Sequence, residues 1–526
     1  MSESTLTSPL TVDLRLSPRE AADPLRVHEA AVRKARVVPA RVALVRPLRR
    51  SIDARGKQPL VQLRVAVHLD APPAPEPRLL ADLQQVENAP PVLIVGAGPA
   101  GYFAALELIE LGLKPVLFDR GKDVRARRRD LRAIQQDGTV NPHSNYCFGE
   151  GGAGTYSDGK LYTRSHKRGN IYKTLKLLVE HDAHPDILVD AHPHIGSNKL
   201  PKIVANIRAT IEAHGGEVHF GSYVTDLLIE KGKINGVIVN ERDEHRAEAV
   251  ILATGHSARD IYYLLHEKGV RLEAKPFALG VRIEHPQPLI DKLQYNRARR
   301  GEHLPAASYR LATQVKDRGV FSFCMCPGGL VVPAATAPGE LVVNGMSMSR
   351  RDSPYANSGM VVSVEPEDLK DYQQHGVFAV LEFQKAVERK VFASGDGGQQ
   401  APAQRLTDFT RRKISESLPG SSYIPGLRPG ALHELLPKSI YERLSAGVMA
   451  FGKQMRGYYT EEANVIATES RTSSPVRIPR DTTTRMHPDV DGLFPCGEGA
   501  GYAGGILSAA MDGQNVARSV AARVSG

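Results

Sequence analysis

Three glycines that follow an apolar run carry the strongest chemical signal in this chain. Val92–Val95 precedes Gly96, Gly98 and Gly101, and a helical pattern begins within the same turn. Gly96 permits a tight turn, Gly98 lets the backbone approach a pyrophosphate, and Gly101 lets the helix pack close to a sheet. The unpaired N–H groups at the start of such a helix attract phosphate oxygens. We therefore predict a dinucleotide site at this turn.

An acid that ends the next apolar run completes the motif. Val116–Phe118 is followed by Asp119, which lies 18 positions after Gly101. A carboxylate about 20 residues after the glycines can accept hydrogen bonds from a ribose. Because strand, turn, helix and acid are in register, we favour a nucleotide-binding unit over a structural glycine turn. No second such turn occurs between Gly255 and Glu469.

Three further segments extend the prediction to a flavin, because the first two are similar to motifs of flavoproteins and the third is unusually rich in glycine. Val250–Gly255 is an apolar strand pattern that ends in Ala-Thr-Gly, and Leu493–Ile506 is an apolar run followed by an acid and a glycine-rich helix start. The carboxylate of Glu498 can accept from a ribityl or ribose hydroxyl. The helix entered at Gly504–Ile506 would direct its positive end at the N1–C2=O edge of a flavin. The glycine density of Asn141–Leu161 would let backbone lie against a flat ring and a diphosphate.

The hydrophobic pattern places these motifs in an α/β fold. A chain of 526 residues with 41% hydrophobic residues is expected to form two to three domains. We predict a Rossmann-like FAD-binding domain that is interrupted by a mixed α+β substrate domain and preceded by a small α+β domain. The predicted boundaries are 1–70 for the basic N-terminal domain, 71–90 for a proline-rich linker, 91–259 for the first part of the FAD-binding domain with a β-meander, 260–464 for the substrate domain, and 465–526 for the last part of the FAD-binding domain.

Local patterns within these domains predict individual elements. In the N-terminal domain we predict a strand, a helix capped by Ser17 with a break at Pro24, and two strands at Arg41–Ser51 and Leu60–Leu69. A helix is predicted from Asn198 to about His214. The predicted meander consists of runs at Val218–Phe220, Val224–Ile229 and Gly236–Asn240, and it returns to a core strand at Ala249–Ala253.

The net charge of +10 is concentrated near the N-terminus. Residues 26–64 hold eleven Lys or Arg and two acids, Glu29 and Asp53. Such a segment is either a solvated basic face or a surface for an anionic partner such as nucleic acid or acidic lipid. The segment lacks interleaved aromatics and any DNA- or RNA-binding motif, which favours the solvated face.

The cysteine count and the apolar segments indicate a cytoplasmic protein. Four cysteines in a chain of this size are too few for a disulfide framework. Met1–Leu10 lacks the basic and apolar regions of a secretory signal. Val92–Leu113 is apolar enough to suggest a membrane span, but Glu107, Glu110 and the glycine turn favour a strand and a helix. We predict no transmembrane segment and no metal site.

Together these motifs resemble an uncharacterised group of bacterial FAD-dependent dehydrogenases, a branch of the glutathione-reductase-like, two-dinucleotide-binding-domain flavoproteins. The stretches that carry the resemblance are Gly96–Asp119, Phe148–Leu161, Phe321–Gly329, Glu469–Ile478 and Gly492–Gly513, and the basic N-terminal unit resembles the leader domain of that group. The resemblance implies a glutathione-reductase-like fold and non-covalently bound FAD.

The resemblance also implies where FAD lies. The AMP half is expected over Gly96–Gly101 and Asp119, and the flavin near Gly152–Lys160 and Gly497–Ile506. The superfamily has Asp where this chain has Glu498. The residues assigned to FAD are Gly96, Gly98, Pro99, Ala100, Gly101, Asp119, Arg120, Arg127, Gly152, Ala153, Gly154, Ser157, Asp158, Lys160, Val224, Ala253, Thr254, Gly255, Gly497, Glu498, Gly504, Gly505 and Ile506. Arg120 and Arg127 either reach the adenosine or pyrophosphate or are solvated surface arginines.

Three residues are candidates for chemistry besides the flavin itself. Lys160 is either an electrostatic partner of flavin N5 or N1 or part of a structural ion pair. Arg471 could hold an anionic substrate or a nicotinamide. Cys324 and Cys326 would share one face of a strand, but a disulfide between them would close a small, strained ring. We therefore favour a strand that lines the substrate cavity over a redox dithiol.

The function that follows is hydride transfer between an organic substrate and FAD. Because a second nucleotide turn is missing, NAD(P)H would bind transiently at the flavin, or the electron donor is something else. One alternative is a flavin-dependent reductase of a lipid or isoprenoid at the membrane surface, because the late glycine loop resembles that of geranylgeranyl reductases. A second is an RNA-associated flavoprotein, motivated by the basic segment, and a third is a flavin-bound protein without turnover.

Overall fold

The N-terminal unit is a three-stranded antiparallel sheet with two helices. The computed structural model describes residues 8–162 and 169–524. The elements of this unit are β1 (Leu10–Leu16), α1 (Pro18–Ala21), α2 (Pro24–Ala35), β2 (Val42–Asp53) and β3 (Leu60–Leu69), with sheet order β1-β3-β2. Ser17 and Glu20 form a capping box at α1, and α2 begins at Pro24. The predicted capped helix, its break and the two strands are confirmed.

Six of the eleven basic residues in the basic segment form ion pairs within the chain. Arg50 reaches Asp186 at 2.9 Å and Asp190 at 2.7 Å, which ties β2 to the rest of the protein. The arginines of the segment that have a carboxylate partner are Arg26, Arg41, Arg46, Arg50, Arg55 and Arg64. An anionic partner for this segment stays a prediction.

A five-stranded parallel sheet forms the centre of the nucleotide unit. Its elements are β4 (Pro91–Val95), α3 (Pro99–Glu110), β5 (Lys114–Asp119), α4 (Val124–Gln136), α5 (Ile171–Glu180), α6 (Leu200–Ala213), β6 (Glu217–Phe220), β7 (Val224–Glu230), β8 (Lys233–Val239), β9 (Asp243–Arg246), β10 (Val250–Leu252) and α7 (Arg259–Glu267). The last strand and helix of the chain, Leu493–Pro495 and Ile506–Val524, complete it. In spatial order the strands are the late strand, β10, β4, β5 and β6, so the predicted parallel α/β unit is confirmed.

The predicted meander is wrong in one strand. Val218–Phe220 lies in β6, which pairs in parallel with β5 at the edge of the main sheet. The separate antiparallel sheet is instead β7-β8-β9, and its third strand, Asp243–Arg246, was not predicted. The run of apolar residues in β6 does not by itself reveal which sheet it joins, because short strands of either kind show the same pattern.

A seven-stranded mixed sheet forms the centre of the second unit. The remaining elements are β11 (Glu273–Ala274), β12 (Phe277–Pro286), α8 (Gln287–Tyr295), β13 (Ala312–Val315), β14 (Arg318–Cys326), β15 (Gly329–Pro333), β16 (Val343–Ser347), β17 (Tyr355–Val364), α9 (Ala379–Ala393), β18 (Ala401–Arg405), α10 (Leu406–Arg411), β19 (Leu427–Pro429), α11 (Leu432–Leu435), α12 (Lys438–Gln454), β20 (Asn464–Glu469), β21 (Val476–Arg477), β22 (Leu493–Pro495) and α13 (Ile506–Val524). The sheet order is β13-β14-β17-β12-β20-β18-β19. Since β20 belongs to this sheet, the second unit extends past the predicted boundary at 464.

Two findings concern the ends of the chain and the membrane. Residues 1–7 and 525–526 lie outside the described residues. Much of the segment that was searched for a secretory signal, and the outer limits of the first and last predicted domains, therefore also lie outside them. Within 8–162 and 169–524, no helix is long and apolar enough to cross a membrane. The segment Val92–Leu113 forms β4 and α3, as predicted.

Candidate functional site

A cavity of about 360 Å³ opens at the carboxyl ends of β4, β5 and β10. This edge is where ligands bind in open parallel α/β sheets. The cavity wall includes every residue assigned to FAD except Gly101, Arg127 and Gly497, and it also includes Cys324 and Arg471. The structure therefore brings most of the predicted site together.

The glycine turn leaves no room for side chains on its inner face. A Cβ on Gly96, whose φ is +108°, would lie 2.4 Å from the carbonyl oxygen of Ala253. A Cβ on Gly101 would lie 2.0 Å from the carbonyl oxygen of Gly96. Gly101 thus shapes the turn from inside and does not line the cavity. Among the described residues, no side chain caps the first N–H groups of α3, which begins at Pro99.

A second glycine loop faces this turn across a narrow gap. Gly152 has φ of +60°, and a Cβ there would lie 3.2 Å from the Cα of Gly98. At Gly98 itself a Cβ would meet only the Cα of Gly152, at 3.8 Å. The two backbones form a narrow cradle, because neither glycine carries a side chain toward the other.

The structure places Arg127 outside the cavity wall. Its side chain is fully buried, which also excludes a solvated surface arginine. Its guanidinium donates to the carbonyl oxygens of Asn145 at 2.8 Å, Glu150 at 2.8 Å and Gly152 at 2.9 Å. A guanidinium presents its donors in a fixed fork, and here that fork holds the glycine loop in place. Arg127 is a positioning residue of the cradle.

Asp119 and Arg120 both line the cavity but are held by protein partners. The Asp119 carboxylate accepts from the N–H of Ala97 at 2.9 Å and from the N–H of Gly121 at 2.8 Å, so it braces the glycine turn. Each oxygen keeps a further lone pair, and a ribose contact stays a prediction. Arg120 forms a bidentate pair with Asp260 at 3.0 and 2.7 Å, and its side chain is only 14% exposed. Arg120 is therefore not a solvated surface arginine.

The start of α13 borders the cavity opposite the glycine turn. Gly504 and Gly505 precede the helix, and a Cβ on either would meet nothing within 4 Å. Glu498 lies beside them with one carboxylate oxygen 3.9 Å from Nε2 of His256. Burial lowers the pKa of His256. The hydroxyl of Thr254 is buried at this edge without a hydrogen-bond partner among the described residues.

Lys160 and Cys324 meet at another part of the wall. Lys160 Nζ lies 4.0 Å from Cys324 Sγ and 3.9 Å from an oxygen of Asp158, and it donates to the carbonyl of Met325. The Asp158 carboxylate is itself paired with Arg351. Cys324 and Cys326 lie in β14, and Cys324 lines the cavity, so the predicted strand in the cavity wall is confirmed. The expectation that the two cysteines share one face of that strand is wrong, because Cys324 has φ of +48° and the pairing with β17 shifts between Phe323 and Cys326.

Arg471 is more enclosed than a residue that captures an anion from solution. It is 4% exposed and contacts Glu388 at 2.8 Å and Glu340 at 3.0 Å. Arg259 joins the same two carboxylates at 2.7 Å each, so two positive and two negative side chains form one buried cluster. The charge of Arg471 is thereby offset, but its Nη1 is buried with no hydrogen-bond partner among the described residues.

Sequence reasoning missed several residues of the wall. Phe148 and Tyr223 flank the Arg120 guanidinium at 4.7 and 4.1 Å from their ring centroids. Asn344, from β16, and Thr472, after β20, reach the cavity from the second unit. Tyr223 could have been found from its position next to Val224, whereas Asn344 belongs to no motif.

The fold and the cavity define an α/β protein with a dinucleotide-type site. Residues 276–472 match the family described as FAD-dependent protein, C-terminal domain-like, and residues 9–68 match a domain of unknown function (DUF8436). A protein of Clostridium beijerinckii, described as an uncharacterized protein, is 41% identical over 496 residues, which cover 90% of this chain and 91% of that protein. The chain belongs to the same family as this clostridial protein. The match to the FAD-dependent family supports FAD as the cofactor and a flavin-dependent enzyme.

The similarity to solved structures is weaker than the similarity to the clostridial protein. A geranylgeranyl bacteriochlorophyll reductase-like protein of Thermoplasma acidophilum is 13% identical, with a TM-score of 0.35 over 83% of this chain and 80% of that chain. An oxidoreductase of Methanosarcina mazei is 13% identical, with a TM-score of 0.33 over 81% of this chain and 100% of that chain. TM-scores below 0.5 do not establish a common fold.

Proposed function

We propose that this protein is an FAD-dependent oxidoreductase that transfers a hydride between an organic substrate and non-covalently bound FAD. The observation that carries the proposal is the single cavity in which the glycine turn, the start of α13 and side chains of the second unit meet. A flavin needs one part of its site to hold the dinucleotide and another to admit a substrate. The nucleotide unit would hold the dinucleotide, and β14 and β16 of the second unit would border the space for a substrate.

The wall fits FAD in three respects. The Gly98 and Gly152 backbones form a cradle without side chains. The uncapped start of α3 offers N–H groups to a diphosphate. The open space above Gly504 and Gly505 leaves the positive end of α13 accessible to a polar ring edge. When bound, FAD would supply two-electron redox chemistry, and these residues would hold it.

The chain's own residues would orient and shield the cofactor. Arg127 fixes the glycine loop through four carbonyls, and Asp119 fixes the turn, so the cradle is preorganised. The buried cluster of Arg259, Arg471, Glu340 and Glu388 joins the nucleotide unit to the second unit beside the cavity. Lys160 places a positive charge at the cavity wall.

The test is the visible spectrum of the purified protein together with one variant pair. We expect a bound flavin spectrum that is lost in Gly98→Arg, because the long side chain fills the cradle. Gly56→Arg is the matched control, since Gly56 lies in the exposed turn between β2 and β3, where a Cβ meets only the Gln58 carbonyl at 3.7 Å. A colourless wild-type protein that stays colourless with added FAD would overturn the proposal.

Hydride transfer to the flavin is tested separately, by reducing the flavin under anaerobic conditions. NADH, NADPH and candidate metabolites are added in turn, and bleaching of the flavin absorbance identifies the electron donor. If dithionite bleaches the flavin but no member of a broad panel does, the protein is a flavin-bound protein without turnover. The RNA alternative rests on the basic segment, and six of its arginines already have a carboxylate partner within the chain. The lipid alternative rests on the glycine loop before α13 and stays a prediction.

A further inference from the structure

Lys160 and Cys324 come from different units and meet at the cavity wall. Lys160 lies in the loop between α4 and α5, and Cys324 lies in β14, yet Nζ and Sγ are 4.0 Å apart. Both residues line the cavity. The left-handed backbone at Cys324, with φ of +48°, is uncommon for a residue with a side chain, and such conformations cluster at functional sites.

Cys326 supports Cys324 without competing with it. Its thiol is fully buried and lies 3.3 Å from the carbonyl oxygen of Cys324. The neighbouring thiol of Cys326 lowers the pKa of Cys324 to about 5. Burial opposes this shift, and the charges of Lys160 and Arg282 add to it. The same proximity of the two sulfur groups, together with burial, raises the pKa of Cys326, which favours its thiol form.

A residue that lines the same cavity carries an unpaired donor. Nη1 of Arg471 is buried and has no hydrogen-bond partner among the described residues, although Arg471 lines the cavity. A buried donor left unpaired costs about 1–3 kcal/mol. A carbonyl or carboxylate oxygen of a ligand would satisfy it.

We propose that Cys324 is a thiolate nucleophile paired with Lys160, and that the substrates of this cavity are aldehydes. In the step we assign, a bond forms between Cys324 Sγ and the aldehyde carbon as the C=O π pair moves to oxygen. An N–H bond of Lys160 breaks and its proton passes to that oxygen, which leaves a neutral hemithioacetal and a neutral amine. This proposal rests on the proposed function, because the hemithioacetal carbon keeps the C–H bond from which a hydride would be removed.

An aldehyde fits better than a disulfide substrate. Disulfide exchange needs a second thiolate to release the product. Cys326 is the nearest thiol in sequence, but it is buried, remains protonated, and would close a strained ring with Cys324. Addition to a carbonyl needs one thiolate and one proton donor, which is the pair present.

The first experiment measures alkylation of each cysteine by iodoacetamide between pH 4.5 and 9.5, with peptide mass spectrometry on the protein as purified and after FAD addition. Cys324 should react half-maximally near pH 5, and at pH 6 about tenfold faster than in the denatured chain. At pH 6 the thiolate fraction of Cys324 would be about 300-fold larger than that of a cysteine in the denatured chain. The lower nucleophilicity of a less basic thiolate reduces this advantage to about tenfold. Cys147 and Cys496 are internal controls, because burial raises the pKa of both.

Variants of Lys160 test the pair. K160M should raise the half-maximal pH of Cys324 by about one unit or more, since an opposite charge at this distance shifts a pKa by 1–3 units. K160R should restore most of the shift. K202M removes a surface lysine whose side chain is 72% exposed and should change nothing. A half-maximal pH at or above 8 in the wild-type protein would overturn the thiolate.

The second experiment tests the substrate class. Propanal should slow alkylation of Cys324 in a way that dilution reverses, and propan-1-ol should not. Protection by cystamine or cyclohex-2-enone without protection by propanal would overturn the aldehyde assignment. Protein that fails to bind FAD but shows the low half-maximal pH contradicts only the proposed function, so the two failures are distinguishable.

Discussion

Replacing Gly513 with alanine should separate the two helices that frame the glycine turn. A Cβ on Gly513 would lie 2.1 Å from the carbonyl oxygen of Ala100 and 3.1 Å from the N of Ala104, both backbone atoms of α3. Ordinary contact begins near 3.4 Å, so α13 and α3 would have to move apart by about 1.3 Å. Ala100 lies inside the predicted FAD contact, so this movement acts directly on the cradle.

The size of the effect follows from two opposing contributions. Over-packing against backbone costs about 3 kcal/mol, and alanine returns about 1 kcal/mol of helix propensity. The net loss is about 2 kcal/mol, which lowers the melting temperature by about 2 °C if the whole chain unfolds as one unit, at about 1 °C per kcal/mol for a chain of this length. FAD affinity should fall at the same time, because the start of α3 is displaced.

Differential scanning fluorimetry with and without FAD, together with a fluorescence titration of FAD, measures both quantities. Gly504→Ala is the matched control for stability, since its Cβ would meet nothing within 4 Å. A Gly513→Ala protein with unchanged melting temperature and unchanged FAD affinity would refute the packing argument.

Three further predictions concern the cavity and the core. Gly504→Leu should change the free energy of unfolding of the cofactor-free protein by no more than about 0.5 kcal/mol, and it should lower FAD affinity at least tenfold in the same titration. An unchanged FAD affinity would mean that FAD does not occupy the space beside Gly504. Arg127→Met should cost at least about 3 kcal/mol in urea unfolding, because several buried carbonyls lose their donor, and a smaller loss would contradict its positioning role. Burial lowers the pKa of His285 to about 4, below the ordinary 6.5, so the unfolded chain takes up a proton first. The contribution of His285 to the free energy of unfolding is complete above pH 6.5, and it falls by up to about 3 kcal/mol as the pH is lowered to 4. In a plot of the urea unfolding midpoint against pH, His285→Gln should therefore reduce the slope between pH 4 and 6.5. An unchanged slope would exclude His285 as the cause.

The local motifs could be predicted from the sequence because their physics is local. The turn at Gly96–Gly101 and the start of α13 at Ile506 depend on residues within a few positions of one another. An apolar strand, a glycine that permits a positive φ and a helix start are all visible in such a window. The structure places these segments around one cavity, as the sequence led us to expect.

Some residues have roles that differ from those expected from the sequence, because they contact residues far away in the chain. Such contacts could not be predicted from local patterns. Arg127 contacts carbonyls up to 25 positions away, and no spacing rule marks it as buried rather than solvated. Arg471 is neutralised by Glu340 and Glu388, which are more than 80 positions earlier. The contact of Lys160 with Cys324 spans 164 positions and depends on a bulge in β14. Each of these depends on how two units pack, which single-sequence periodicity does not encode.

The two walls of the cavity belong to separate hydrophobic cores. The glycine turn is packed by the core around Ile94 and Ile251, whereas β14 and β17 are packed by the core around Val320 and Val362. Because packing changes are felt mainly by neighbours within one core, altered side chains at Phe323 on β14 and Asn344 on β16, which line the cavity, would leave the turn undisturbed. A mutant library confined to these two positions would therefore diversify what the protein acts on while retaining its cofactor.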